Sequence, residues 1–271
     1  MYHAHWGLSE SPFQSRLDPT GFYQSPTHEE ALARLHFLVE QRRRLGLLMG
    51  SAGSGKSFVL EVFAGHLRRA GRPTAKLSLA GLEATEFLAL TATGLGLNPD
   101  RDLSVASLWR LLSDRITELR YQRMATILLL DDADLASRAV LAQLLRLAKL
   151  EPGPDSRLTL VLAGQHADMG RLGESLLDLA DLRIDLEPWD ASETARYVRA
   201  SLARAGCASP VFNDGAVTRL FELSQGIPRR VSQLADLALA AGAGRQLEAI
   251  DAGTVESACR ELGMVEVNAE G

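Results

Sequence analysis

Three scarcities bound the chain before any motif is sought. Of 271 residues only two are cysteines, Cys207 and Cys259. They lie far apart and form no CxxC pair. That excludes a disulfide framework or a cysteine-rich metal site and suggests reduced thiols in a cytosolic protein. Positive charge is also scarce, with 29 Lys and Arg against 34 Asp and Glu and a formal net charge of −5. Such a balance argues against a general nucleic-acid binder, although a local basic patch remains compatible with it. Long apolar runs are missing as well. No window approaches the ~18 apolar residues of a membrane span, and Met1 to Glu10 has no signal-peptide core. On these grounds any work at a membrane calls for a partner to hold the chain there.

Apolar residues nevertheless make up 46% of the chain, enough for one large or two modest cores. The most informative stretch is Gly50-Ser51-Ala52-Gly53-Ser54-Gly55-Lys56-Ser57. It follows the apolar run Leu45–Met49 and precedes a segment in which Val59, Leu60, Phe63, Ala64, Leu67 and Ala70 recur at helical spacing. Strand, glycine loop and helix in that order form a phosphate cradle. The glycines let the backbone wrap closely around phosphate oxygens, Lys56 reaches the β- and γ-phosphates, and Ser57 offers a hydroxyl to Mg²⁺.

A second landmark follows. Thr126–Leu130 is a continuous apolar run of strand length, as expected for a strand buried on both faces of a parallel sheet, and it ends in Asp131-Asp132-Ala133-Asp134. Beside a phosphate loop, Asp131 is placed to hold Mg²⁺ through water, and Asp132 to act as general base toward the attacking water. The competing reading is an acidic N-cap cluster for the helix over Ser137–Leu150. A further strand, Leu158–Ala163, ends in Gly164-Gln165. There Gln165 either bonds the γ-phosphate or water, or is a simple turn amide. Thr74–Leu79 reads as another strand, and Leu182–Leu186 alternates like an edge strand with one solvated face.

Alternating strands and helices predict an α/β fold: a three-layer αβα phosphate-loop core around a mostly parallel five-stranded sheet. Boundaries are expected at 1–26 for an N-terminal arm on that core, 27–187 for the core and 188–271 for an all-α domain. The arm is rich in aromatics (Tyr2, Trp6, Phe13, Phe22, Tyr23) and reads as ordered but irregular. Thr27 and Glu30 suggest a capping box for the first helix. It ends near Arg42-Arg43-Arg44, which either complement its C-terminus or bind an anion or DNA. After Glu187-Pro188-Trp189 only helices are expected, with starts at Asp190, Asp214, Pro228 and Asp251. Arg229 and Arg230 at a helix start oppose the macrodipole, so an anion reached from the core explains them better.

These motifs resemble an AAA+ ATPase with a helical lid. More narrowly they resemble the ExeA/GspA-like (MshM-type) general secretion and type IV pilus family. The resemblance rests on Met1-Tyr2, Trp6-Gly7-Leu8, Pro12-Phe13, Ser25 with His28 and Ala31-Leu32, the phosphate loop (Walker A), Leu162–Gln165, Arg183-Ile184 and Gly226-Ile227-Pro228-Arg229, with Asp131-Asp132 at the Walker B position. It implies an ATP hydrolase using Mg²⁺-ATP, with Gln165 as sensor-1 residue, Arg229 as sensor-2 arginine and Arg183 as an arginine finger acting in a neighbouring subunit. Arg183 read from its strand alone is equally a solvated edge charge. A homo-oligomeric ring, a hexamer among the options, and an inner-membrane or envelope secretion partner are likewise implied, with a cytoplasmic location and no direct membrane insertion. Two alternatives differ in class: a DNA-associated helper ATPase of the transposition-regulator kind, and a slowly hydrolysing nucleotide switch. Three departures from the family pattern stand out. Asp131-Asp132 replaces Asp-Glu, His166-Ala167 replaces Pro-Glu, and Asp181 replaces an arginine.

Overall fold

Five short strands rich in Leu, Ile and Val provide the framework of the α/β part: β1 (Leu45–Gly50), β2 (Thr74–Ser78), β3 (Thr126–Asp131), β4 (Leu158–Gly164) and β5 (Leu182–Leu186). In this computed structural model, which describes residues 2–13, 23–150, 156–207 and 209–262, they form one sheet in the order β2-β3-β4-β1-β5. All four pairings are parallel, with Leu45 opposite Leu160 and Thr126 opposite Leu158. Phe22 and the chain beyond Leu262 lie outside the described residues. Every residue of β1, β3 and β4 is buried, which explains their unbroken apolar sequences. β5 is an edge strand of alternating burial, as its sequence predicts.

The chain divides into two compact units, and Pro26–Ala52 with Lys56–Leu186 forms the first. Its helices are α2 (Pro26–Glu40), α3 (Lys56–Arg69), α4 (Ala84–Gly94), α5 (Val105–Tyr121), α6 (Arg138–Ala148) and the short α7 (Glu174–Leu177); α1 (Tyr2–Trp6) belongs to the other unit. Leu45, Leu47 and Met49 pack with Phe87, Leu108, Leu112, Val140 and Leu144 of α4, α5 and α6. Gly46 points to the opposite face, where an added Cβ would lie 2.6 Å from Leu38 of α2. Side chains such as Phe63 and Phe87 are wholly buried, each contributing about 2–3 kcal/mol of apolar transfer.

Local signals explain most boundaries. Ser104 and Ser137 cap α5 and α6, their hydroxyls accepting from the N–H groups of Ser107 and Val140. The acidic cluster is therefore not the cap of α6. α2 begins at Pro26, so Thr27 lies inside the helix instead of capping it; proline at the first helical position fits because its missing N–H is not needed there. Asp181, which stands where the family pattern has arginine, accepts the N–H groups of Arg44 (2.8 Å) and Leu45 (3.2 Å) and ties the approach to β5 to the start of β1.

The second unit comprises Met1–Ser25, Gly53–Gly55 and Glu187–Gly271. It contains α1, α8 (Ala191–Arg204), α9 (Asp214–Ser224), α10 (Pro228–Gly244) and α11 (Ala252–Glu261). The sequence reading set the N-terminal arm on the α/β core as an irregular segment. Instead its first residues form α1, and Trp6, Leu8 and Phe13 are buried in the core of the helical unit. Trp6 Nε1 donates to Leu239 O at 2.9 Å, so burial of this aromatic leaves its polar atom satisfied. Asp190 and Glu193 form the expected reciprocal cap of α8.

Candidate functional site

Parallel strands deliver their C-terminal ends to one edge of the sheet, and the chemical groups gather there. β1 ends at Gly50, and Lys56 opens α3. Between them Gly53 and Gly55 have φ of +86° and +99°, conformations that side chains resist. Lys56 Nζ donates to Gly50 O and Ser51 O, both at 2.9 Å. Its ammonium thus sits over the carbonyls of its own loop. Ser51 Oγ is buried without a hydrogen-bond partner.

Two strands away, β3 ends at Asp131, whose carboxylate is only 6% exposed. Burial pushes its pKa up and the Asp132 charge adds to this, against a hydrogen bond from Ser57, the Asp132 N–H and the charge of Lys76. The Asp132 N–H donates to Asp131 Oδ1 at 3.0 Å. A hydroxyl and a buried carboxylate meeting beside a glycine loop are hard oxygen donors suited to Mg²⁺. The residues therefore fit a magnesium nucleotide: Ser57 and Asp131 toward the metal, Lys56 and the loop amides toward the phosphates.

Asp132 itself sits at φ 53°, ψ 40°, a left-handed conformation. A non-glycine residue there costs roughly 1 kcal/mol, and such strain collects at functional positions. Its Oδ2 accepts from Ser78 Oγ at 2.7 Å, at the end of β2. Ser78 lies opposite Asp131 in the β2–β3 register. Nothing in the sequence marked Ser78, since a serine closing a half-exposed strand has many uses.

Gln165 follows β4, and its Nε2 approaches Asp134 Oδ2 at 3.4 Å. Asp134 is 4% exposed, and a Cβ on Gly164 would lie 2.9 Å from its Oδ1, so a side chain there would have to displace the carboxylate. Arg183 lies on β5 with its guanidinium engaged in the same strand: Nε is 2.8 and 3.1 Å from the two oxygens of Asp185. Asp185 Oδ1 also meets His166 Nε2 at 2.6 Å. Burial alone would raise the Asp185 pKa, but the bonds from Arg183 and His166 hold it below the usual carboxylate range. The α/β unit thus brings Lys56, Ser57, Asp131, Asp132 and Gln165 to one sheet edge, with Arg183 on the flanking strand.

Arg229 belongs to the helical unit, where it is exposed in the first turn of α10. Its N–H donates at 3.2 Å to the carbonyl of Gly53, a residue grouped with that unit, and a Cβ on Gly53 would come within 2.8 Å of Arg229 Cβ. Gly226, at φ +67°, is fixed more firmly still, because a Cβ there would overlap Trp189 O at 1.9 Å. Cys207 and Cys259 are both buried and are not joined by a disulfide. Among the described residues no group of three or more His, Cys, Asp or Glu is arranged to hold a metal, and no helix is long and apolar enough to cross a membrane.

A phosphate loop, a buried acidic strand end and a 51432-type parallel arrangement with β1 between β4 and β5 define a P-loop protein of the AAA+ class. Residues 39–171 match the AAA domain family AAA_22. The whole chain is similar to general secretion pathway protein A of Aeromonas hydrophila, 32% identical over 270 residues, covering 97% of this chain and 48% of that protein. The chain is therefore an AAA+ protein similar to the ExeA/GspA family, spanning about half the length of that relative. Among solved structures, Cdc6p from Pyrobaculum aerophilum superposes with a TM-score of 0.71 at 20% identity, over 93% of this chain and 70% of that one. The RuvB Holliday junction branch migration motor of Thermotoga maritima gives 0.62 at 16% identity, over 95% and 75% respectively. At these identities the likeness is one of fold.

Proposed function

We propose that this chain binds Mg²⁺-ATP at Gly50–Ser57 and hydrolyses it, and that the resulting conformational change drives or assembles a partner in an envelope secretion or pilus system. The observation that carries the chemistry is the buried Asp131 beside Asp132 at the end of β3, on the strand edge that also carries Lys56 and Ser57. Support for the biological setting comes from the name of the secretion relative, which aligns with 97% of this chain over 48% of its own length.

In this reading the Lys56 ammonium leaves the carbonyls of Gly50 and Ser51 for the β- and γ-phosphates, an exchange of neutral for charged acceptors that strengthens each bond. Ser57 and Asp131 would hold a magnesium ion, which when bound would supply charge neutralisation to the nucleotide phosphates. Asp132 accepts a proton from the attacking water, and the Gln165 amide orients that water or the γ-phosphate. Arg229 is assigned to the γ-phosphate from the helical unit, and Arg183 to the nucleotide of a neighbouring subunit in a homo-oligomer. A second reading, a nucleotide switch of low turnover, is favoured by the Ser78 bond that already occupies the short Asp132 carboxylate.

The test is ATP binding and Mg²⁺-dependent turnover in Lys56→Ala and Asp132→Ala variants. Lys56→Ala should weaken ATP binding by about tenfold to a hundredfold, the worth of hydrogen bonds to a charged group, while retaining the native circular dichroism. Asp132→Ala should bind ATP normally and turn over about a hundredfold or more slowly. Unchanged ATP affinity in the first variant would sink the phosphate-loop assignment, and unchanged turnover in the second would remove Asp132 as base. For the partner, cross-linking that captured only nucleic acid and no envelope protein would count against the secretion setting.

A further inference from the structure

Helices of the α/β unit run back across the sheet between strands, so the C-termini of α2, α3 and α5 share a face with the N-terminal ends of the strands. This floor lies opposite the edge that carries Lys56 and Asp131, and arginine is concentrated on it. Arg42 and Arg43 lead into β1, Arg72 into β2, Arg123 into β3 and Arg157 into β4. Backbone bonds join these approaches side by side. Ile127 N–H donates to Pro73 O at 3.0 Å, Thr126 N–H to Arg157 O at 2.8 Å, and Leu160 N–H to Arg44 O at 2.8 Å. Arg157 Nη1 donates to Arg123 O at 3.1 Å. Acids interrupt the row: Asp181 lies 3.9 Å from Arg43 and is bound to the N–H groups that start β1, and exposed Glu40 and Glu118 stand in the last turns of α2 and α5. Glu151 and Asp155, which precede Arg157 in sequence, lie outside the described residues.

Helix C-termini attract cations, and that accounts for Arg68 and Arg69 in the last turn of α3. It does not account for Arg42 and Arg123. Both are left-handed, at φ 52° and 59°, just past the ends of α2 and α5. There the bonds Arg43 N–H to Leu38 O and Met124 N–H to Leu119 O, each 2.9 Å, close the helix. Gly71, at φ +65°, does the same after α3. Glycine occupies such a position without strain, whereas arginine costs roughly 1 kcal/mol. The side chains kept at this cost are exposed.

Large exposed apolar groups stand in both helix layers of the same floor. Phe37, 50% exposed, lies in the last turn of α2, and Tyr121, 78% exposed, closes α5 with the Arg120 guanidinium 5.4 Å above its ring. We infer that this floor docks on an anionic phospholipid surface. A row of arginines flanked by an exposed aromatic near the end of a helix on each face of the sheet suits a broad planar surface. A nucleic-acid strand, by contrast, is tracked along a groove. Each arginine near an anionic leaflet is worth about 1 kcal/mol and aromatic rings lodge at headgroup depth, whereas the net charge of −5 disfavours attraction of the chain as a whole.

The experiment is co-flotation of the full chain with vesicles of phosphatidylcholine alone or with added phosphatidylglycerol, at low and high salt, beside a fluorescent DNA duplex. Binding is expected to phosphatidylglycerol vesicles only, and to fall with salt. Arg42→Gly/Arg123→Gly should lose about tenfold or more in vesicle affinity while its melting temperature is unchanged or raised, because glycine suits both left-handed positions. Equal partitioning of wild type and variant, absence of vesicle binding at low salt, or arginine-dependent binding to the duplex in place of vesicles each overturns the proposal.

Discussion

Ser78 Oγ donates to Asp132 Oδ2 at 2.7 Å, so the carboxylate assigned to the attacking water is already engaged by its neighbour on β2. A hydrogen bond to a carboxylate oxygen occupies one of its acceptor sites and fixes its direction.

Ser78→Ala should therefore raise Mg²⁺-ATP turnover, by about threefold or more if the bond is worth about 1 kcal/mol, with ATP affinity unchanged. Steady-state kinetics decides the matter. A loss of turnover as large as that of Asp132→Ala would mean instead that Ser78 places the carboxylate for its task.

A second pairing ties the phosphate-loop helix to the sheet. Glu61 of α3 binds Lys76 of β2, with Arg68 nearby, and the Lys76 hydrogen bond leads the effects that hold the Glu61 pKa below its ordinary value. A depressed carboxylate pKa contributes stability above the unfolded value of about 4.3, and that stability is lost as pH falls through the folded value. Glu61→Gln should thus cost about 0.5–1 kcal/mol at neutral pH and nothing at strongly acid pH. Denaturant melts across pH check it, and a cost that persisted undiminished in acid would rule out the ionic origin.

The sequence announced whatever was written in local pattern. The glycine string needs positive φ at Gly53 and Gly55, and both have it; unbroken apolar runs marked β1, β3 and β4; alternation marked β5 as an edge. Partners set by tertiary register were hidden. Ser78 meets Asp132 only because β2 pairs with β3, and His166 meets Asp185 only because β4 and β5 flank β1. The helix start at Ala84 was legible in principle, since Glu83 N–H bonds the Glu86 carboxylate, but glutamate is an uncommon cap. The arm misled for a related reason: its aromatics showed that it packs, but not on what.

Gly226 gives a test of the helical unit. At φ +67° and with Trp189 O where a Cβ would go, Gly226→Ala combines left-handed strand strain of about 1–2 kcal/mol with a backbone overlap that must push Trp189 aside. Trp189 N–H also bonds Gly226 O at 2.9 Å, so the displacement breaks a hydrogen bond. We expect a loss of about 3 kcal/mol or more, seen as protease cleavage between residues 187 and 262 at lower temperature than in wild type. Equal resistance in both proteins would show that the turn can relax.

Arg183 and Asp185 bear on assembly. The Nε edge of Arg183 is held against both oxygens of Asp185, and Nη1 lies 3.9 Å from Met169 Sδ, while the side chain remains 49% exposed. Anchoring one edge of a guanidinium orients its terminal nitrogens without consuming them, as a group reaching into a neighbouring subunit requires. If Arg183 acts there, turnover per subunit should climb with protein concentration, and Arg183→Ala should remove the rise, lowering activity at the highest concentration about a thousandfold at unchanged ATP affinity. Arg183→Lys should not restore it, because an ammonium cannot be held by one edge and point with another. Turnover that is flat with concentration and indifferent to Arg183→Ala would leave the residue as a solvated charge on an edge strand, paired with Asp185 for local order alone.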